Sequence, residues 1–315
     1  MAEYYGKQGE WRTLPNGVHI FIEKGQSLED AMKSFDESGW ESEYKKSEFN
    51  EQLLESFTYA DLQGYYTDKE HKRIKPAQVA KRKIRTALQS RDYRDPEMDA
   101  IIIGGIKNKV REFIVNDRNT AWFKPVSRRI QISINGNDCE IVESIGHEIG
   151  HAIDHSITGY KSSTYHSELY GLTMREALFN EFNKNLTLDK INEEANALSE
   201  AMSKVRKDYL DGKFKSDRQY LQAYYRLDDA AMCLCDMTQA VYGDNECLKI
   251  FGELGHEAGY YNKSKALAAT ECFAELTSCL FWNKDKTFYN LMNKYCPETI
   301  EIYHEILDKE VESWK

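Results

Sequence analysis

Apolar and polar positions first alternate at Val18, Ile20 and Ile22, within Trp11 to Gln26, and Pro15-Asn16-Gly17 supplies a turn just before them. This stretch predicts a strand pair, or one strand and its turn. From Leu28 to about Arg94 the chain is charged, helix-prone and rich in aromatics. Asp95-Pro96 then marks a boundary, because Asp caps, Pro fits a first helical turn, and a more apolar segment follows. After Ala121-Trp122-Phe123 and a break at Pro125, Ile130-Gln131-Ile132-Ser133-Ile134 alternates strictly, which predicts a half-buried strand. Asn135-Gly136-Asn137 ends it. Asn137 and Glu140 make an N-cap and capping-box pair for a helix reaching about Ile157, with Gly159 as its stop. Leu188 to Val241 keeps a helical period with almost no Gly or Pro. Beyond the glycine-containing turns of Gly243 to Gly259, helices resume near Lys265 and after Pro297. The pattern predicts an α+β fold, mostly helical with a small sheet, over 96–315. An N-terminal domain of α/β or helical character, with a docking or regulatory role, is expected over 1–95.

Composition narrows the classes. Of 315 residues 41% are hydrophobic and 30% charged, as in a globular chain, and 42 basic against 52 acidic residues leave −10. That balance argues against a general nucleic-acid partner. A basic stretch, Lys72 to Arg91, reads as a solvated helix face or as a docking surface for an acidic partner. No apolar run approaches the roughly 18–20 residues that span a bilayer, so no membrane partner is expected. Met1-Ala2-Glu3-Tyr4-Tyr5 shows no secretion signal, which predicts a cytoplasmic protein or one exported by another route. The seven cysteines form an odd set without Cys-x-x-Cys, best accounted for as free, mostly buried thiols in a reduced compartment. Cys233 and Cys235, two apart in a helical stretch, should face different ways.

The chemistry concentrates at His147-Glu148-Ile149-Gly150-His151. Two histidines four apart on a helix project from one face, so both imidazoles can reach one cation. Glu148 beside them is placed to polarise a water rather than to bind the metal, and zinc suits such a site. A third ligand must come from elsewhere. His155 lies eight positions past His147, where a helix has turned by ~80° and risen ~12 Å. The metzincin extension is also missing, since Asp154 and Ile157 stand in its places. Glu271 is the best candidate: with Ala274, Glu275 and Ser278 it shares a helix face whose small residues permit close approach, while Phe273, Leu276 and Leu280 share another. Glu275 could then hold a ligand imidazole by its second nitrogen. A solvent-facing acidic stripe is the plainer reading of that face, and Glu168 and Glu176 compete as ligands. Tyr260 and Tyr261 precede the Glu271 helix, where a phenol either donates to an oxyanion or packs as one of 20 tyrosines.

His147-Glu148-x-x-His151 with Asp154, then Gly255-His256 with Tyr260, then Glu271-x-x-Ala274-Glu275, resembles the gluzincin zinc peptidases. The likeness is to the anthrax lethal factor-like group and to metallopeptidase-like domains of phage minor head proteins and polymorphic toxins. Trp11 to Gln26 also looks like a segment of phage structural proteins. The resemblance covers Asp95 to Trp282 at the level of motifs. It implies a zincin-like domain with Zn2+ held by His147, His151 and Glu271, and Glu148 as general base. It further implies Glu275 and Asp154 behind the ligands, Tyr260 as a possible oxyanion donor, and a substrate-lining edge strand between Ala121 and Ile134. An extended substrate would add alongside Arg129 to Ile134. The implied activity is peptide-bond hydrolysis on a protein or peptide substrate, including phage structural or host target proteins. The long helical insertion between the motifs, and Glu257 after His256, depart from the family pattern. The alternative is a non-enzymatic phage-type structural or binding protein braced by zinc.

Overall fold

A computed structural model of the protein describes residues 2–4, 7–13, 19–27, 49–62, 66–67, 73–91, 95–118, 120–252, 255–264 and 266–314. The chain separates into two units, Met1–Phe57 and Thr58–Lys315. In the first, strands Ala2–Tyr4 (β1), Lys7–Thr13 (β2) and His19–Glu23 (β3) form an antiparallel sheet in that order, with Trp11 opposite Phe21. The strand pair expected there is present. The Pro15-Asn16-Gly17 turn and all of 28–48 lie outside the described residues.

The second unit opens at Thr58, within the strand Phe57–Asp61 (β4), then pairs Tyr66–Thr67 (β5) with Arg73–Ile74 (β6). The helix Pro76–Ser90 (α1) buries Val79, Ala80, Ile84, Ala87 and Leu88 while Arg82 and Lys83 face solvent. That exposure fits a solvated helix face and a docking surface alike, while Arg91, at the end of the basic stretch, is buried against Asp99 at 2.8 Å. α1 packs on the histidine-bearing helix at 138–154, which is why 76–90 belongs to the second unit. The division therefore falls at Phe57–Thr58, upstream of the Asp95-Pro96 boundary expected from sequence. Asp95 still caps as expected, accepting from Glu97 N and Met98 N, but the helix it starts, Pro96–Lys109 (α2), is internal to the unit.

Strands Glu112–Asn116 (β7), Trp122–Lys124 (β8) and Arg129–Ser133 (β9) complete a four-stranded sheet ordered β4-β7-β9-β8. β7 runs parallel to β9 and β8 antiparallel to it, with Phe123 opposite Ile130. β9 is therefore an interior strand. β7 covers one edge along its length and β8 covers the other over Arg129–Gln131, so the expected alignment of a substrate along Arg129–Ile134 is blocked over Arg129–Gln131, and the outer strand is β8. The predicted half-burial also fails at Gln131, which is buried because its Nε2 donates to Thr120 O at 3.2 Å.

Asp138–Asp154 (α3) begins with the expected capping box, Asn137 accepting from Glu140 N and the Glu140 carboxylate accepting from Asn137 N. It ends at Asp154, before the expected Ile157, because His155–Ser156 (β10) pairs with Gly159–Tyr160 (β11) in a small hairpin. Gly159 has φ +120°, so it serves as a hairpin residue. A short turn of helix, Lys161–Thr164 (α4), and Met174–Lys184 (α5) follow. The long helical stretch is two helices, Leu188–Leu210 (α6) and Asp217–Tyr242 (α7), packed together and parted at Gly212, whose φ is +71°. Asp244–Phe251 (α8), a 3-10 turn at Tyr260–Lys263, Leu267–Trp282 (α9), Thr287–Tyr295 (α10) and Pro297–Ser313 (α11) complete the chain. Among the described residues no helix is long and apolar enough to cross a membrane.

α3 and α9 form the centre of the unit. α9 is buried on all sides from Ala268 to Trp282. α3 buries Ile141, Val142, Ile145, Ile149, Ala152 and Ile153. Each such side chain contributes about 1.5–3 kcal/mol, which outweighs the ~1 kcal/mol that each glycine costs in a helix. Gly146 and Gly150 are what let the two helices touch: a Cβ on Gly146 would lie 2.9 Å from Ser278 Cα, and one on Gly150 would lie 2.8 Å from Ala274 Cα. Both neighbours are backbone atoms of a buried helix and cannot swing aside. Replacing Gly150 by Ala should therefore destabilise the protein by about 1–2 kcal/mol, overpacking of about 1–3 kcal/mol exceeding the gain in helix propensity. Denaturant melts of the two proteins measure it, and a more stable variant would contradict the backbone contact.

Candidate metal centre

His147 and His151 project from one face of α3, their rings edge-to-face with centroids 4.6 Å apart and their Nε2 atoms 3.0 Å apart. From α9, Glu271 Oε2 reaches within 3.4 Å of both Nε2 atoms. Tetrahedral zinc with bonds of about 2.0–2.1 Å sets its ligand atoms about 3.3 Å apart, so these three side chains stand at the spacing one ion requires. One turn further along α9, Glu275 Oε1 lies 3.3 Å from His147 Nδ1, and Glu275 Oε2 accepts from Cys233 Sγ at 3.0 Å. Tyr260 Oη donates to Glu271 Oε1 at 2.7 Å. Glu148 is buried beside the histidines, and its Oε2 has no hydrogen-bond partner among the described residues. A buried carboxylate oxygen left unpaired calls for a water or a cation near it.

The charges in this pocket depend on one another. Burial disfavours a charged His147, but the carboxylates of Glu275 and Glu271 outweigh it and hold its pKa well above the ordinary value. Burial likewise opposes ionisation of Glu271, yet the two imidazoles keep its pKa well below the carboxylate range. For Glu148 burial prevails over the histidines and raises the pKa, a direction that suits an acid and base working near neutrality. Burial and the Glu271 carboxylate push the Tyr260 phenol upward, so it stays a hydrogen-bond donor.

Several expected roles move. Asp154 accepts from Ser162 N at 2.7 Å and Ser162 Oγ at 2.6 Å, fastening the chain after the hairpin, while His151 Nδ1 has no hydrogen-bond partner among the described residues. It does not brace that imidazole. Glu168 pairs with Lys309 at 2.5 Å, and Glu176 closes a capping box on Thr173, so neither competes with Glu271. His155 caps α3 in an extended conformation, its ring against Phe123. Tyr261 is buried and Tyr260 carries the contact to the site. Cys233 and Cys235 do face different ways, toward Glu275 and toward Cys247, and all seven cysteines are buried and free.

Other residues around the site went unremarked in the sequence. Glu143, Asp229 and Cys233 close on His147 and Glu275 from behind, and burial raises Glu143 to about 8. Periodicity carries their signal: 143, 147 and 151 lie one turn apart on α3, as 229, 233 and 236 lie on one face of α7. His256 stacks on Tyr260 with ring centroids 4.0 Å apart and planes at 15°, and its Nε2 lies 3.6 Å from Asp236 Oδ2. Tyr160, at the end of the hairpin, has its phenol raised to about 12 by burial and by Asp154, Glu271 and Glu148.

Comparison of the chain with protein-family models, with curated proteins and with solved structures returned no match.

Asp236 carries a pH signature. Burial and the Glu275 and Glu271 carboxylates raise it from 3.8 to about 8, so in the folded metal-free protein it holds its proton. Its contribution to stability is full below about pH 4 and is lost as pH rises through about 8. The metal-free Asp236→Asn variant should show a shallower fall in melting temperature between pH 5 and pH 8 than the native protein. Parallel curves would remove Asp236 from the balance.

Proposed function

We propose that the Thr58–Lys315 unit is a zinc-dependent endopeptidase of gluzincin type. One observation carries the reading: two imidazoles and the Glu271 carboxylate meet at zinc spacing beside the unpaired, buried oxygen of Glu148. The donor set of two imidazoles and one carboxylate is that of a catalytic site with a position left for water or substrate. A zinc ion held there supplies Lewis acidity, easing loss of a proton from water and polarising the scissile carbonyl.

The remaining work belongs to side chains of this chain. Glu148 accepts the proton of the attacking water at Oε2 and hands it to the departing amine. Its raised pKa makes it a better acceptor of that proton, and the departing amine, more basic still, takes it on. Tyr260 Oη, held on Glu271 here, turns to donate a hydrogen bond to the oxyanion of the tetrahedral intermediate. Glu275 keeps His147 in the tautomer that presents Nε2 toward the ion. The substrate lies extended along β8, the outer strand, in place of the interior β9. Proteins or peptides are the substrate class, and phage structural proteins and host target proteins are the candidates that the family resemblance offers.

Glu148→Gln should retain one zinc per chain and lose about 10²–10⁴-fold in peptide cleavage, the size of a general acid–base contribution. His147→Ala and Glu271→Ala should lose the metal itself. Metal analysis paired with a proteome-derived cleavage screen reads both effects. Cleavage unchanged in Glu148→Gln would end the proposed mechanism, and zinc retained without cleavage by the native protein would favour a structural brace.

A further inference from the structure

The loop that carries Tyr260 is held by an unusual clamp. Gln239, near the end of α7, grips the backbone of His256 on both sides: its Nε2 donates to His256 O at 3.1 Å and its Oε1 accepts from His256 N at 3.1 Å. Asp244, the first residue of α8, accepts from Gln239 Nε2 at 2.8 Å through Oδ1 and from Gly259 N at 2.9 Å through Oδ2. The loop is thus fixed by two helices that meet at Gly243, whose φ of +89° lets the chain double back between them. Inside that corner the Sγ atoms of Cys235, on α7, and Cys247, on α8, lie 3.1 Å apart. Cys233, two residues earlier, is engaged with Glu275 instead.

We propose that Cys235 and Cys247 are a peroxide-sensitive thiol pair that closes as a disulfide and thereby releases the loop bearing Tyr260. Two thiols in hydrogen-bond contact at 3.1 Å on neighbouring helices need about 1 Å of movement to reach a bond of about 2.05 Å. The same movement shifts α8 against α7. Hydrogen bonds of 2.8 and 2.9 Å at Asp244 do not survive a displacement of ~1 Å, so Gly259 and Gln239 lose their shared acceptor. The neighbouring helix-corner residues Gln239, Gly243 and Asp244 also border a cavity of about 740 Å³, one residue layer from the buried sulfurs.

The chemistry balances with hydrogen peroxide as oxidant. The Cys247 thiolate attacks a peroxide oxygen, the O–O bond breaks, and hydroxide leaves to become water, giving a sulfenic acid. The Cys235 sulfur then attacks that sulfur, the S–O bond breaks, and a second water departs, leaving the disulfide. Two thiols and one peroxide yield one disulfide and two waters. Reduction by a dithiol reverses it.

The test uses the reduced, full-length protein and does not depend on the peptidase reading. After brief treatment with hydrogen peroxide and alkylation of remaining thiols, peptide mapping should find one cross-link, Cys235 to Cys247, with the other five cysteines alkylated. Dithiothreitol should restore seven free thiols. Cys247→Ser and Cys235→Ser should each abolish the cross-link, and the wild-type map stands by itself should either variant fold poorly. Amide exchange over 255–264 should quicken in the oxidised protein and return on reduction. Absence of the cross-link while other thiols oxidise, or its formation only in denaturant, would overturn the pair. A cross-link that leaves exchange in 255–264 unchanged or slower would overturn the release.

Discussion

Everything at the site follows from the contact between two helix backbones. Gly146 and Gly150 on α3 meet Ser278 and Ala274 on α9 with no room for a Cβ, and only at that separation can a glutamate side chain on one helix reach imidazoles on the other. A larger residue at either glycine would hold the helices apart by more than the tolerance of a coordination shell. The apolar burial along α3 and α9 supplies the energy, and the glycines convert it into proximity. Ser278 adds a polar tie, donating from Oγ to Glu143 O at 2.9 Å.

That proximity has an electrostatic cost. Glu143, Glu148, Asp229, Asp236, Glu271 and Glu275 gather around two histidines beside the fully buried α9. Without a cation the cluster stays balanced by a protonated His147 between Glu271 and Glu275 and by retained protons on the outlying acids, whose pKa values burial raises. A divalent ion would take over the first of these roles. Protons and fold are coupled here, and an ion bound among these groups would be coupled to both, because each sets the charge that the others must offset.

How much of this was legible beforehand depends on the range of the interaction. The capping box of Asn137 and Glu140, the Asp95 cap, and the shared face of Glu271, Ala274, Glu275 and Ser278 are local, and all are found as the spacing implied. The small residues on that face also separated Glu271 from Glu168 and Glu176, which have other partners. Strand order was not legible: β7 slips in beside β9 from earlier in the chain, and nothing in Arg129–Ser133 itself distinguishes an interior strand from an outer one. The early end of α3 was hidden for a related reason. Residues 155–160 satisfy their backbone in a hairpin, an alternative that helical periodicity cannot weigh. Asp154 follows from that ending, since Ser162 is brought back against it. The support behind the ligands from α7 was missed because its residues come from a third element, and only the stripe at 229, 233 and 236 marked it.

The separation along the chain of the two helix faces has a further consequence, for synthesis. His151 and Glu271 are 271 − 151 = 120 positions apart, so a growing polypeptide presents both imidazoles long before their acidic partner exists. Until α9 has been made and has docked, nothing brings Glu271 to the two histidines and the three-residue cluster cannot be assembled. Any truncated product ending before α9 carries the two histidines without Glu271 or Glu275, so the contact that builds the site also decides when, during translation, its donor set is complete.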